Sequence, residues 1–212
     1  MLFRSVSQSR YEIYIKLVED GVASEYLRSL KVGDHFSAQA PYGDFLIEKP
    51  EPGKKIVLIG TGTGMAPFRA FLKSDEIKRM NPKDILVIQG ARQESDILFI
   101  EEIEKAGLKM EVALSQPTET WNGFRGRVTE LLRSNFLKFA WSQTEFYICG
   151  NGDMVQEVSR ILIHEMRVSE KCVHRENFTP AKKPPYRDWE TDRKSTRLNS
   201  SHEIPSRMPS SA

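Results

Sequence analysis

Three separated stretches carry residue types that could do chemistry. The first is Gly60-Thr61-Gly62-Thr63-Gly64-Met65-Ala66-Pro67, directly after the apolar run Ile56-Val57-Leu58-Ile59. A β-branched run reads as a buried strand, the glycines free the backbone for a tight turn, and Pro67 suits the first turn of a helix continued by Phe68, Phe71 and Leu72. Strand, glycine turn and helix together bring backbone N–H groups and a helix N-terminus to a phosphate, which no side chain then keeps away. The third glycine is Gly64 rather than the residue after it, so the spacing departs from the usual dinucleotide fingerprint.

The second stretch is Gly90-Ala91-Arg92, at the end of another apolar run. An acidic residue there would hold a ribose hydroxyl; an arginine suits a 2′-phosphate or packing along an adenine, or is simply a solvated loop charge. The third is Cys149-Gly150-Asn151-Gly152-Asp153-Met154. If it ends a parallel strand, it faces the same crevice as the glycine loop, because ligands of open α/β sheets bind at the carboxyl ends of strands. Cys149 by itself reads as a small buried hydrophobe as readily as a functional thiol. Trp121, Gly123 and Gly126 mark a turn whose simplest reading is loop packing.

The elements that must position these residues follow from periodicity. Residues 10–18 alternate apolar and polar as a half-buried strand, Gly21 opens a short helix ending near Leu30, Lys31-Val32-Gly33-Asp34 is a turn, and Phe36–Gln39 reads as a further strand. The Pro-rich charged run 48–55 is the clearest boundary. Beyond it, strands at 55–59, 85–89, 110–114 and 145–149 alternate with helices at 66–73, 97–106, 127–134 and 153–167, which predicts a parallel sheet covered on both faces.

Composition excludes several classes. At 39% hydrophobic, the 212 residues can build a core. No apolar run is long enough to span a membrane, and the first residues do not read as a signal peptide. Two cysteines, Cys149 and Cys172, are too few for a disulfide framework or a cysteine-ligated zinc or iron–sulfur site, so a reducing cytoplasm is the expected location. The net charge of +2 equals that of residues 192–212 alone, four basic against two acidic, so it does not point to nucleic acid. Residues 183–212 read as a disordered tail. Within it, 192–202 and 206–212 look like the translated halves of a sequencing adapter, which would make 192–212 non-native and Met1 an internal methionine of a longer protein. His35, His164 and His174 are scattered, and no His/Asp pair or paired carboxylates form a constellation for acid–base work.

In their order and spacing, the glycine loop, Gly90-Ala91-Arg92, Trp121-Asn122-Gly123 and Cys149–Met154 resemble the pyridine-nucleotide domain of the ferredoxin–NADP reductase family. The likeness is to bacterial flavin reductases serving ferredoxins, mono-oxygenases and ring-hydroxylating dioxygenases. Arg4-Ser5-Val6-Ser7 resembles the family's flavin signature, with Val6 where a flavin-stacking tyrosine usually stands. Gly21-Val22-Ala23-Ser24 resembles its second flavin-phosphate turn, and Pro41–Phe45 the segment closing the flavin domain.

The resemblance implies an α/β fold: a doubly wound parallel nucleotide domain (51–182) preceded by the C-terminal part of an antiparallel flavin-binding β-barrel (1–50). It implies FAD and NAD(P)H as cofactors. Arg4 and the backbone of Gly21, Val22, Ala23 and Ser24 would hold the flavin pyrophosphate, and Ser7 would sit by the flavin ring. Gly60, Thr61, Gly62, Thr63, Gly64 and Pro67 would form the nicotinamide cofactor's pyrophosphate loop, with Arg92 and Ser115 by its adenosine ribose. Cys149 and Gly150 would border the nicotinamide, with Asn151, Asp153 and Met154 also cofactor-binding, and Ser7 and Cys149 would be the implied catalytic residues. The implied chemistry is hydride transfer to flavin, then electron transfer to a ferredoxin or other iron–sulfur partner, separate or fused. The other readings are a non-catalytic nucleotide-binding or regulatory protein of this fold, or an inactive fragment.

Overall fold

The structure, a computed structural model, describes residues 2–7, 10–37, 45–48, 51–134 and 141–178. The tail beyond Phe178, the Pro41–Asp44 segment and the second half of the expected 36–39 strand lie outside these residues; Phe36 and Ser37 themselves are not in a strand.

Strands β1 (Leu2–Ser7) and β2 (Arg10–Tyr14) form an antiparallel hairpin, with a register shift between Ser5 and Ser7. Helix α1 (Val22–Ser29) follows, with Gly21 as its N-cap. The predicted turn closes at Gly33, whose φ is +100°, while the Lys31 amide donates to the Asp34 carboxylate at 2.7 Å.

The remaining described residues build a six-stranded parallel sheet. Along the chain come β3 (Lys55–Thr61), α2 (Met65–Phe71), α3 (Asp75–Lys78), β4 (Ile85–Ala91), α4 (Ile100–Lys105) and β5 (Lys109–Leu114). Then come β6 (Phe124–Arg125), α5 (Val128–Arg133), β7 (Thr144–Asn151), α6 (Gly152–Arg160) and β8 (Val173–Phe178). The spatial order is β6-β5-β4-β3-β7-β8, all pairs parallel. The sheet thus grows outward in both directions from β3, and the topological switch lies between β3 and β7.

Alternation along each central strand divides the core. Val57, Ile59, Leu86, Ile88, Phe146 and Ile148 face one side, packed by Val128, Leu131 and Leu132 of α5 and Val155 and Val158 of α6. Ile56, Leu58, Ile85, Val87 and Tyr147 face the other, packed by Met65, Phe68 and Phe71 of α2 and Ile77 of α3. A strand buried on both faces must be apolar at every position, and each such side chain contributes about 1.5–3 kcal/mol. The predicted 153–167 helix runs as α6 and then a π-helical turn over Ile161–Glu165, carrying the stripe Val155, Val158, Ile161 and Leu162 inward.

The segment leading into β3 is tied to the amino ends of the strands. Phe45 packs on Phe68, Phe71 and Tyr147, and the Glu48 amide donates to the Tyr147 hydroxyl at 3.1 Å. His174 stacks on Tyr147 at 4.4 Å and meets Glu145 at 3.1 Å, while Lys54 pairs with Glu145 at 2.6 Å. Burial works to raise the Glu145 carboxyl, but hydrogen bonds from Lys54 and His174 outweigh it and hold the group below its usual range. Among the described residues no helix is long and apolar enough to cross a membrane.

On the outer face, Arg133 of α5 bridges Glu157 at 2.7 Å and Glu165 at 2.9 Å, and Arg160 reaches Glu157 at 2.9 Å and Glu165 at 2.6 Å. Hydrogen bonds from Arg160 and then Arg133 lower the Glu157 carboxyl from 4.5 to about 2. A depressed folded-state value means the network stabilises above the unfolded carboxylate value and loses that contribution as pH falls through the window from 4.5 to about 2. Glu157→Gln is expected to lower the neutral-pH plateau of the melting temperature slightly, towards the parent's acid value, and so to flatten the acid limb across that window, as thermal denaturation read by circular dichroism would record.

Candidate functional site

The site forms where β3 and β7 lie side by side. Their register pairs Gly60 with Cys149, so the glycine loop and the Cys149–Met154 turn leave the sheet at the same level. A short 3₁₀ turn, Gly62–Gly64, carries the chain from β3 into α2, and the Met65 amide bonds back to the Gly62 carbonyl. Gly62 has φ +53° and, among the described residues, no atom within 4 Å of where a β-carbon would stand, so its side is open to a ligand. Gly64 is the opposite case: a β-carbon there would strike the Cys149 carbonyl and come within 2.7 Å of the Gly150 Cα. The displaced third glycine is therefore a packing glycine, needed because two backbones touch. Pro67 is the third residue of α2, in the first turn, where a missing amide costs no intrahelical bond.

Across the gap, the Asn151 amide donates to the Thr61 hydroxyl at 3.5 Å, and the Asn151 side chain caps α6 by accepting from the Asp153 amide at 3.0 Å. Thr61, Asn151, Asp153 and Met154 line one end of a cleft of about 570 Å³ whose other end is lined by Arg92, Ser115 and Arg127. A second hollow of about 720 Å³ shares those three residues and extends to Gln116 and Arg125. The result is a trough from the β3–β7 switch to the tips of β4 and β5.

Backbone bonds make that far end. The Ser115 amide donates to the Ala91 carbonyl at 3.1 Å and the Gln116 amide to the Arg92 carbonyl at 2.8 Å, so Arg92 and Ser115 come together although 23 positions apart. Fully buried Gln89 pins the preceding loop, donating to the Asp96 carbonyl at 3.1 Å and accepting from the Leu98 amide at 3.0 Å. Arg125 is consumed by structure: it donates to the carbonyls of Thr118, Glu119 and Trp121 at 2.8–3.0 Å. Trp121 and Gly123 belong to this loop, Trp121 donating its indole N–H to the Phe124 carbonyl at 3.2 Å. Among the described residues neither Arg92 nor Arg127 makes an ion pair, and both are exposed.

Cys149 is fully buried, and its thiol points toward the Glu176 carboxylate at 4.0 Å. Burial, with that carboxylate adding to it, pushes the thiol far above its ordinary range, so it stays protonated and is no nucleophile. Glu176 is brought in by β8, whose register pairs it with Cys149. Neither Glu176 nor Arg127 stood out in the sequence. The alternation of Val173-His174-Arg175-Glu176-Asn177-Phe178 was the available signal for β8, and Arg127 is marked only by its place before an α5 stripe.

The flavin-side residues are placed by backbone. Arg4 and Ser7 lie in β1. Val22, Ala23 and Ser24 are the first residues of α1, whose opening amides have no intrahelical partner, and the Glu25 amide makes the first helical bond, to the Gly21 carbonyl at 2.9 Å. Ser24 is buried, and its hydroxyl accepts from the Val18 amide at 2.9 Å.

A parallel sheet with a phosphate-type loop at its switch point, preceded by an antiparallel hairpin and a short helix, suits an oxidoreductase with FAD- and NAD-binding parts. Family models agree: "Oxidoreductase FAD-binding domain" matches residues 4–47 and "Oxidoreductase NAD-binding domain" residues 58–160. The two matches place the chain among FAD- and NAD-binding oxidoreductases, and ferredoxin–NADP reductases are among the proteins it resembles. It is 29% identical over 178 residues to ferredoxin–NADP reductase B of Sorangium cellulosum, covering 80% of this chain and 72% of that one. It is 34% identical over 152 residues to one component of the Na(+)-translocating NADH-quinone reductase of Neisseria meningitidis, covering 67% of this chain but only 37% of that component. Among solved structures, the Amycolatopsis cytochrome P450 reductase GcoB superposes with a TM-score of 0.68 at 26% identity, over 79% of this chain and 51% of that one. A ferredoxin NADP+ reductase from Neisseria gonorrhoeae, with bound FAD and NADP, shares the fold at a TM-score of 0.62 and 24% identity, over 76% of this chain and 71% of that one.

The two kinds of glycine separate experimentally. Gly64→Ala must push two backbones apart and is expected to cost about 1–3 kcal/mol and weaken nucleotide binding. Gly152→Ala, with nothing within 4 Å of its β-carbon, is expected to stay within about 0.5 kcal/mol of the parent. Chemical denaturation with a nucleotide titration of each variant checks both.

Proposed function

We propose that the chain forms the nucleotide side and part of the flavin side of a reductase that draws hydride from NADPH and passes electrons to a one-electron acceptor such as an iron–sulfur protein. The observation that carries this is the trough at the β3–β7 switch, lined at one end by Thr61, the neighbour of exposed Gly62, and at the other by Arg92, Ser115 and Arg127. The exposed left-handed Gly62 beside it, and two arginines that make no ion pair among the described residues, suit a dinucleotide: pyrophosphate at Gly62–Gly64, nicotinamide beside Gly150, Asn151 and Met154, adenosine ribose at Ser115.

When bound, the flavin supplies the two-electron to one-electron conversion, which no side chain of this chain could perform. The protein's own residues bind and orient. Arg4 and the free amides of Val22, Ala23 and Ser24 hold a pyrophosphate, and Ser7 lies at the hydride-transfer end. The Cys149 thiol stays neutral and buried, offering its S–H to Glu176. Hydride transfer needs no strong acid or base, which suits a site without an acid–base pair.

NADPH is favoured over NADH because Arg92 and Arg127 leave their guanidinium donors to the ligand while Arg125 does not. The relatives themselves divide, one named for NADP and one for NADH. Mixing the chain with FAD and NADPH is expected to bleach the visible flavin absorbance; nucleotide binding without bleaching would instead favour a non-catalytic protein of this fold. In the same assay, Arg92→Ala with Arg127→Ala is expected to raise KM for NADPH about tenfold or more, as loss of charge-assisted bonds worth about 1.5–3 kcal/mol requires, and to leave KM for NADH nearly unchanged. Equal losses for both nucleotides would overturn the assignment of NADPH.

A further inference from the structure

We propose that Arg69 is a positioning residue that holds the flavin-side hairpin in register over the nucleotide loop, an inference that rests on the reductase reading above. Arg69 lies in α2, the helix that starts from the glycine loop, and its side chain is only 15% exposed. Its Nη1 donates to the Glu12 carboxylate and to the Tyr14 hydroxyl, both on β2, and its Nε donates to the Glu102 carboxylate of α4 at 2.5 Å. The guanidinium also lies 5.4 Å from the Tyr14 ring centre and 5.2 Å from that of Phe99, and these two rings meet edge to face at 4.8 Å. Phe99 reaches this place from a left-handed backbone, φ 59°, rare for a residue with a large side chain.

The partners fall on both sides of a division. Glu12 and Tyr14 belong to the segment matched as FAD-binding, and Arg69, Phe99 and Glu102 to the segment matched as NAD-binding. Phe45 also joins the two, packing on Phe71 at 5.6 Å and Tyr147 at 6.0 Å. Apolar contact is non-directional and tolerates sliding. A planar guanidinium with donors in a fixed fork does not, since each bond breaks when the hairpin shifts. Arg69 thereby converts adhesion into register. Because α2 begins at the loop that takes the nucleotide, that register fixes the distance between what β1 holds and what the loop holds. Hydride transfer is steep in that distance, whereas binding of either cofactor alone is not.

The experiment compares the parent chain with Arg69→Met, which keeps the apolar stem, and Arg69→Lys, which keeps the charge without the fork. Hydrogen exchange of residues 10–14 is read without cofactors, NADPH affinity by calorimetry, and flavin reduction by single-turnover mixing with FAD at saturating NADPH. Arg69→Met is expected to speed β2 exchange and slow flavin reduction, each about tenfold or more, as loss of one charge-assisted bond requires, with NADPH affinity changed less than about twofold. Arg69→Lys should fall between. Unchanged β2 exchange in both variants overturns the proposal, as does a loss of NADPH affinity matching the loss of rate, which would put Arg69 in the nucleotide loop's own folding. If the parent chain never reduces flavin yet Arg69→Met still loosens β2 alone, the hairpin-holding role stands and it is the reductase reading of this chain that fails.

Discussion

One close approach governs the rest of the structure: the backbone at Gly64 lies against the Cys149 carbonyl, nearer than any β-carbon would permit. This contact closes the gap between β3 and β7 on the loop side of the sheet. It aims the glycine loop across the Cys149–Met154 turn, sets the direction in which α2 leaves, and so determines where Arg69 lies. It also leaves Gly62 as the exposed glycine of the loop, with a left-handed backbone and open space beside it. A phosphate-binding turn and a packing turn are built from the same few residues, and the backbone contact decides which glycine does which.

The sheet's two faces serve different ends. The face covered by α5 and α6 is an apolar layer reinforced on its outer surface by the Arg133, Arg160, Glu157 and Glu165 network, whose exposed charges add little at neutral pH compared with the core beneath them. The face covered by α2 and α3 also receives Tyr14, Phe45 and Ile47 from the flavin-side segment. That face carries Tyr147, clamped between Phe45, Phe71 and the stacked His174, with its hydroxyl taken up by the Glu48 amide. The connector between the two matched segments is therefore held at the amino ends of the strands while chemistry is arranged at their carboxyl ends.

Much of this was readable in the residues. Ile56–Ile59, Ile85–Ile88 and Phe146–Ile148 are apolar at every position because they are buried on both faces, and such runs announce themselves; β3, β4, β5 and β7 lie within about two residues of their predicted limits. Edge strands do not announce themselves. β6 has only Phe124 and Arg125, and in β8, among residues 173–177, Val173 is buried while His174 and Glu176 are only half-buried. Of the expected strand at 36–39 only Phe36 and Ser37 are described; neither lies in a strand, and Phe36 is 49% exposed. Alternation indicates a face to be covered, but a strand also needs a neighbour to bond.

The sequence by itself determined the parallel α/β class, the strand–glycine–helix turn and the family likeness, because each depends on local pattern: apolar runs, glycines at set intervals, a proline in a first helical turn. Only the tertiary structure decided that Gly64 packs while Gly62 stays open, that Glu176 stands beside Cys149, that Arg127 joins Arg92 at the trough while Arg125 is spent on loop carbonyls, and that Arg69 reaches across to Glu12 and Tyr14. Each of these depends on strand order and register. Parallel neighbours are joined by crossovers many residues long, so the residues that meet at the end of a parallel sheet are far apart in the chain and carry no mark of their meeting.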